Sequence, residues 1–138
     1  MIKKKILLLL SGGKDSANCV ELLEQSGFEV KALCISGHQK IEAIEAQRTA
    51  DKYGIELRIV QVNVFDELTW NPIKLIFRDL IMGSIMIYYS KKWKINVVAT
   101  GVKKSDFDNP KLFWLKYFLR FSEYILKLFK IEMIYPLK

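Results

Sequence analysis

The 138 residues are 51% hydrophobic and 27% charged, a balance that excludes a disordered chain and suffices for a single domain, 1–138, with its own core. The net charge of +7 is uneven: residues 1–71 hold 9 Lys+Arg against 10 Asp+Glu (−1), and residues 72–138 hold 13 against 5 (+8). A basic half of this kind is either a solvated lysine face or a surface for polyanions, whether RNA, nucleotides or acidic membranes.

From the N-terminus, Lys5–Leu10 is a short apolar run between charge and glycine, the pattern of a strand buried on both faces. Asp15–Ser26 places Cys19, Val20, Leu22 and Leu23 at helical spacing, with Gly27 as the left-handed residue that ends the helix. Glu29–Ile35 reads as a second strand, closed by Ser36-Gly37. Ile41–Tyr53 is an alanine-bearing helix with charge partners four residues apart, and Gly54 repeats the cap. Glu56–Val62 alternates and is rich in β-branched residues, as a third strand should be. Asn63–Asn71 is a loop, after which Asn71-Pro72 opens a long helix to about Trp93. Ile95–Thr100 is the fourth strand, ended by Gly101; Asn109-Pro110 opens a last helix to about Phe129, and Ile131–Ile134 makes a fifth strand.

Strands separated by helices of this length must run parallel with right-handed crossovers. The expected fold is α/β: a Rossmann-like, open, doubly wound sheet of five parallel strands. The last helix is unusual. Lys116, Arg120, Glu123, Lys127 and Lys130 draw one narrow polar stripe, and nearly all else is apolar. One side of a five-stranded sheet covers only part of that arc. The 110–130 helix is therefore expected to meet a second subunit in a homo-oligomer, further chain, or a membrane surface.

Two cysteines, Cys19 and Cys34, form no CxxC pair and fit a reduced, cytoplasmic compartment. Lys3–Lys5 followed by Ile6–Leu10 mimics a secretory leader, but the apolar run is too short for a leader or a membrane span.

The chemistry concentrates in "SGGKDS", Ser11 to Ser16, where the first strand runs into the first helix. In a doubly wound sheet the ligand crevice lies beyond the carboxyl ends of the strands, so this turn sits on that edge. The first N–H groups of the following helix point outward and carry partial positive charge. Gly12 and Gly13 remove Cβ atoms and allow positive φ, so that successive N–H groups can line an anion nest. Ser11 and Ser16 add hydroxyl donors, and Lys14 adds a countercharge. The whole is a phosphate cradle. It matches neither the Walker A spacing nor GxGxxG, which disfavours ordinary P-loop GTPases and nicotinamide dehydrogenases.

Strand-SGGKDS-helix resembles the SGGxDS signature of the N-type ATP pyrophosphatases, or PP-loop ATPases. Within that superfamily, "SGHQKIEAIEAQRTADKYGIE" (36–56) is similar to the YGQ-x-H stretch of the 7-cyano-7-deazaguanine synthase family. "FRDLIMGSIMIYYSKKWKINVVATGVKKSDF" (77–107) is similar to that family's RN-x-x-F helix and GVN-x-x-D strand end. The chain departs from the pattern at Asp79 and Lys103, where the family has asparagines, and it lacks the family's four zinc-binding cysteines. Related proteins continue beyond "YPLK" into a further helix, so the chain reads as a minimal or truncated member.

The resemblance implies an adenine nucleotide alpha hydrolase-like fold and an adenylating ligase or synthase. Such an enzyme cleaves ATP to AMP and pyrophosphate and activates a carbonyl or carboxylate substrate, small or tRNA-linked, in 7-deazaguanine (queuosine) metabolism or other tRNA modification. It implies that Ser11, Gly12, Gly13, Asp15 and Ser16 grip the pyrophosphate portion, with Asp15 acting through Mg2+. Lys14 joins them as a countercharge, and the cation that stabilises charge during adenylation would be Lys14 or one of Lys103 and Lys104; Lys14 and Asp15 are the expected catalytic residues. Ile35 and Ser36 would meet adenine through backbone groups, and Thr100 and Gly101 would touch ATP where the fourth strand ends. Arg78 would reach a phosphate or substrate. His38, Lys103, Lys104 and Asp106 also lie at strand ends, where solvated loop residues are the plain alternative. So is a nucleotide-binding or partner-docking module that turns nothing over.

Overall fold

A computed structural model describes residues 3–10, 14–38, 41–68, 72–101, 108 and 115–137. The elements run β1 (Lys4–Leu9), α1 (Lys14–Gln25), β2 (Phe28–Ser36), α2 (Ile41–Tyr53), β3 (Glu56–Gln61), a 3-10 turn (Asn63–Glu67), α3 (Pro72–Trp93), β4 (Val97–Thr100), α4 (Leu115–Leu128) and β5 (Glu132–Ile134). All four strand pairings are parallel, in the order β3-β2-β1-β4-β5. This is the expected doubly wound sheet.

The order dictates which helix covers which face. The chain first steps outward from β1 to β2 to β3, then returns past β1 to β4 and β5. Right-handed crossovers in opposite directions must lie on opposite faces. Accordingly Ile6, Leu8 and Leu10 pack with Cys19, Val20 and Leu23 of α1 and Ala46 of α2. Leu7, one step out of phase, packs with Met86 and Tyr89 of α3 and Leu126 of α4. Ile6, Leu7 and Leu8 are fully buried, each burial contributing about 1.5–3 kcal/mol, so β1 anchors both layers.

Three helices end on one device. After α2, Gly54 takes φ +64°; its N–H bonds the carbonyl of Asp51, and the Ile55 N–H bonds that of Ala50. The same bonds recur after α3, from Lys94 to Lys91 and Ile95 to Ser90, and after α4, from Lys130 to Lys127 and Ile131 to Leu126. These are Schellman caps, each followed by an isoleucine; Ile95 and Ile131 are buried in the core. Gly27 (φ +89°) and Gly54 stand where glycine spacing placed them, but Lys94 (φ 56°) and Lys130 (φ 61°) take the same left-handed backbone with a side chain.

This shifts several expected boundaries. Ile95 and Ile131 belong to caps, so β4 begins at Val97 and β5 at Glu132. The remaining ends of β1, α1, β2, β3 and α4 move by one residue. The expected loop after β3 contains a 3-10 turn that inserts Phe65 into the core under α3. The expected start of the last helix at Asn109-Pro110 lies outside the described residues. No helix among the described residues is long and apolar enough to cross a membrane.

Candidate functional site

The sheet reverses its winding direction between β1 and β4, and the carboxyl ends of these two strands form its switch point. Leu9 is in register with Thr100, so the two chains leave the sheet side by side. The β1 exit leads into Ser11–Gly13 and then α1, a twelve-residue helix whose first turn opens at this edge. Ser11, Gly12 and Gly13, and the side chains of Lys14, Asp15 and Ser16, lie outside the described residues, as do Lys103, Lys104 and Asp106. Thr100 and Gly101 are partly exposed at the neighbouring exit.

β2 reaches farther than β1. Leu9 pairs with Leu33, and the last described rung is the bond from the Leu10 N–H to the Leu33 carbonyl (2.8 Å). On the other side, the Ser36 carbonyl accepts from Val62 N–H at 2.7 Å. Backbone polar groups alternate sides along a strand. Those of Ser36 therefore face β3, while those of Ile35 face the β1 side, one rung past that last bond. Ile35 thus offers a peptide edge beyond the carboxyl end of β1. The Ile35 side chain itself is buried in the α3/α4 core, and His38 is exposed just beyond.

Arg78 sits in the second turn of α3, half-buried, with its guanidinium 5.0 Å from the centre of the Phe65 ring. Its neighbour Asp79 accepts a hydrogen bond from Ser122 Oγ of α4 at 2.9 Å. Burial pushes the Asp79 carboxyl above the usual carboxylate range, offset in part by the Ser122 bond and the Arg78 charge. Next to Ser122, Glu123 accepts from the hydroxyl of Tyr135, just after β5. Burial and that carboxylate push the Tyr135 hydroxyl far up. Asp79–Ser122 and Glu123–Tyr135 together tie α3, α4 and the end of β5. The sequence does not announce them, because partners 43 and 12 residues apart leave no local signal.

Both cysteines are buried thiols in the core beneath α1 and α2. Burial, with the Glu42 charge nearby, raises Cys34 to about 11. A thiol so placed is protonated at neutral pH and shielded from attack. Among the described residues no group of three His, Cys, Asp or Glu side chains is arranged to hold a metal ion. A cavity of about 440 Å³ lies at the opposite, amino-terminal edge of the sheet, lined by Lys3, Lys5, Glu24, Phe28, Glu29 and Gly54 among others. It is a groove of mixed charge at the edge of the sheet opposite the β1/β4 switch point.

Comparison with known proteins agrees with this geometry. A 7-cyano-7-deazaguanine synthase from Clostridium botulinum (strain 657 / Type Ba4) is 28% identical over 129 positions, covering 78% of this chain and 59% of that protein. The tRNA-specific 2-thiouridylase MnmA of Sulfurimonas denitrificans is 30% identical over 119 positions, covering 72% of this chain and 35% of its own. The U34-tRNA thiolase NcsA from Methanococcus maripaludis, solved with its [4Fe-4S] cluster, superposes with a TM-score of 0.67 at 22% identity. That superposition covers 97% of this chain and 51% of the thiolase, and it establishes a shared fold. The chain thus spans 59% of the length of the matching synthase. The model of the queuosine biosynthesis protein QueC matches residues 5–75, which carry nearly all of β1, the "SGGKDS" motif, α1 to β3 and the first turn of α3. With over half its length so matched, the chain belongs to the QueC family of the PP-loop, adenine nucleotide alpha hydrolase-like superfamily.

Proposed function

We propose that this chain, as a single nucleotide-binding domain, binds ATP at the β1/β4 switch point and activates an acceptor oxygen as its adenylate. The observation that carries this reading is the register of Leu9 with Thr100, which brings the exit into "SGGKDS" and the exit into Gly101 side by side. The pyrophosphate portion would lie against Ser11, Gly12, Gly13 and the first-turn N–H groups of α1, helped by Ser16 and the Lys14 ammonium. Adenine would meet the peptide edge of Ile35, with Thr100 and Gly101 flanking the nucleotide; the backbone groups expected of Ser36 are turned to β3, where its carbonyl is bonded to Val62. Arg78, with its guanidinium 5.0 Å from the centre of the Phe65 ring, would be a cation that α3 offers to a phosphate or substrate.

Asp15 lies in the first turn of α1, and its carboxylate is a hard oxygen donor of the kind that takes Mg2+. Mg2+ bound there would neutralise charge on the leaving phosphates. In the reaction a carbonyl or carboxylate oxygen attacks the α-phosphorus, the bond to the bridging α–β oxygen breaks, and pyrophosphate leaves with that electron pair. A nucleophile then displaces AMP. The protein's share is positioning and fixed positive charge.

The acceptor we favour is a 7-deazaguanine carboxylate rather than a tRNA base to be thiolated. Support comes from the family match and from Cys19 and Cys34, whose buried thiols are poor candidates for sulfur transfer. Incubation with α-labelled ATP, Mg2+, 7-carboxy-7-deazaguanine and an ammonium salt as the nucleophile that displaces AMP is expected to yield labelled AMP and pyrophosphate in equal amounts. ADP, or no product with any carboxylate acceptor, would reject the reading. A second reading, a nucleotide-binding docking module without turnover, draws on the exposed apolar side chains of α4. It predicts ATP binding with no AMP formed.

A further inference from the structure

The outer surface of the α3/α4 layer has a composition that the nucleotide site does not use. Phe77 is 55% exposed, Tyr124 61% and Leu128 62%, with Ile73, Leu80 and Phe121 also open to solvent. Surrounding cations are exposed as well: Lys92, Arg120, Lys127 and Lys130. The only acidic residues on these two helices are Asp79 and Glu123. Both are half-buried and held inward, by Ser122 and Tyr135. The nearby β5 residue Glu132 lines a groove with Lys127 and Lys130 and offsets part of their charge. What faces outward from the two helices is therefore apolar side chains rimmed by positive charge.

We propose that this face docks peripherally on an anionic lipid surface. Large apolar side chains at the centre of a helix face with Lys and Arg at its margins are the composition of an interfacial helix, whose binding combines apolar burial with attraction to acidic headgroups. Positive charge without exposed carboxylates on the helices complements such a surface. In an isologous dimer the same face would set cations against cations. Nucleic acid would satisfy the charge but offer nothing to Ile73, Leu80 and Leu128, which gain only where apolar surface is removed from water. The proposal does not depend on which nucleotide reaction the chain performs.

Flotation of the full chain with phosphatidylcholine vesicles and with equal mixtures of phosphatidylcholine and phosphatidylglycerol tests this. Partitioning onto the anionic vesicles is expected to exceed that onto neutral ones by about tenfold or more, and to weaken in high salt. The pair Tyr124→Ser and Leu128→Ser should lower that partitioning with the circular dichroism and Tm unchanged. Phe77→Ser on α3 should do the same, and Lys127→Gln should lower it in low salt. Absence of flotation, equal flotation with both vesicles, or insensitivity to all these substitutions would overturn the proposal. So would a dimer by light scattering that anionic vesicles do not compete for, or retention on RNA with none on vesicles.

Discussion

The two helical layers are built from the same kind of crossover and differ in what they show to water. The α1/α2 layer carries three basic against six acidic residues, a net of −3, and its outward positions are mostly Glu, Gln, Asp and Arg. The α3/α4 layer carries seven basic against two acidic, a net of +5, and turns aromatic and aliphatic side chains outward. Both layers bury a comparable inner face against β1. The contrast therefore lies outside the folding requirement. The α1/α2 layer exposes Leu22, Ile41 and Ile44 as well, but among acidic rather than basic neighbours, so the sign of the surrounding charge is what separates the two layers. On the reading proposed above, the head of α1 would serve the phosphates and the α3/α4 layer a docking surface.

The sharpest way to break this division is at α1. Asp15→Ala is expected to cut AMP formation by about 100-fold or more, the scale of losing one transition-state contact, while Tm and vesicle flotation stay unchanged. A comparable loss of flotation would show the two layers to be coupled.

On α4, inner and outer positions should separate cleanly. Leu126 is fully buried, and Leu126→Ala should cost about 2–5 kcal/mol in denaturant unfolding. Leu128→Ala, two residues on, should change stability by only about 0.5 kcal/mol. Similar losses at both would mean that the outer face is already covered in solution.

Asp79 offers a subtler test. Its folded-state carboxyl holds its proton to higher pH than the unfolded chain does, so above the ordinary carboxylate range the unfolded state binds fewer protons. Stability from this group is thus present in acid and declines as pH rises through the raised value. Asp79→Asn, which keeps an acceptor for Ser122, should raise the Tm at neutral pH, and the gap to the parent should close on acidification. A constant gap across pH would show that the burial of Asp79 is not what matters.

The smallest effects belong to the caps. Lys94→Gly and Lys130→Gly should each stabilise by about 0.5–1 kcal/mol, relief of the left-handed penalty less the entropy that glycine adds to the unfolded chain. Gly54→Ala should destabilise, since φ is +64° there. Equal and negligible effects at all three would contradict the shared capping device.

These cases also mark how far the sequence can be read. Alternation and glycine punctuation made the strands, α1 and α2 visible, and proline located the start of α3. The apolar excess of the last helix was legible too, since Phe121, Tyr124 and Leu128 are exposed where one sheet face ran out of cover. The caps at Lys94 and Lys130 were not, because lysine carries no preference for the left-handed region. The 3-10 turn that seats Phe65, and the Asp79–Ser122 link, depend on partners distant in sequence. At the candidate site the turn was named by its motif. The strand-end geometry beside it, with Ile35 reaching past β1, needed the register of the sheet.

The central claim is that the β1/β4 edge holds the triphosphate of ATP. The most direct measurement is a crystal structure with an ATP analogue that cannot be split between its α and β phosphates. The account predicts the β and γ phosphates against Gly12–Ser16 and the adenine against the Ile35 peptide. Nucleotide bound instead in the cavity between Lys3, Lys5 and Glu24 at the opposite edge, or no nucleotide at all at saturating concentration, would contradict it.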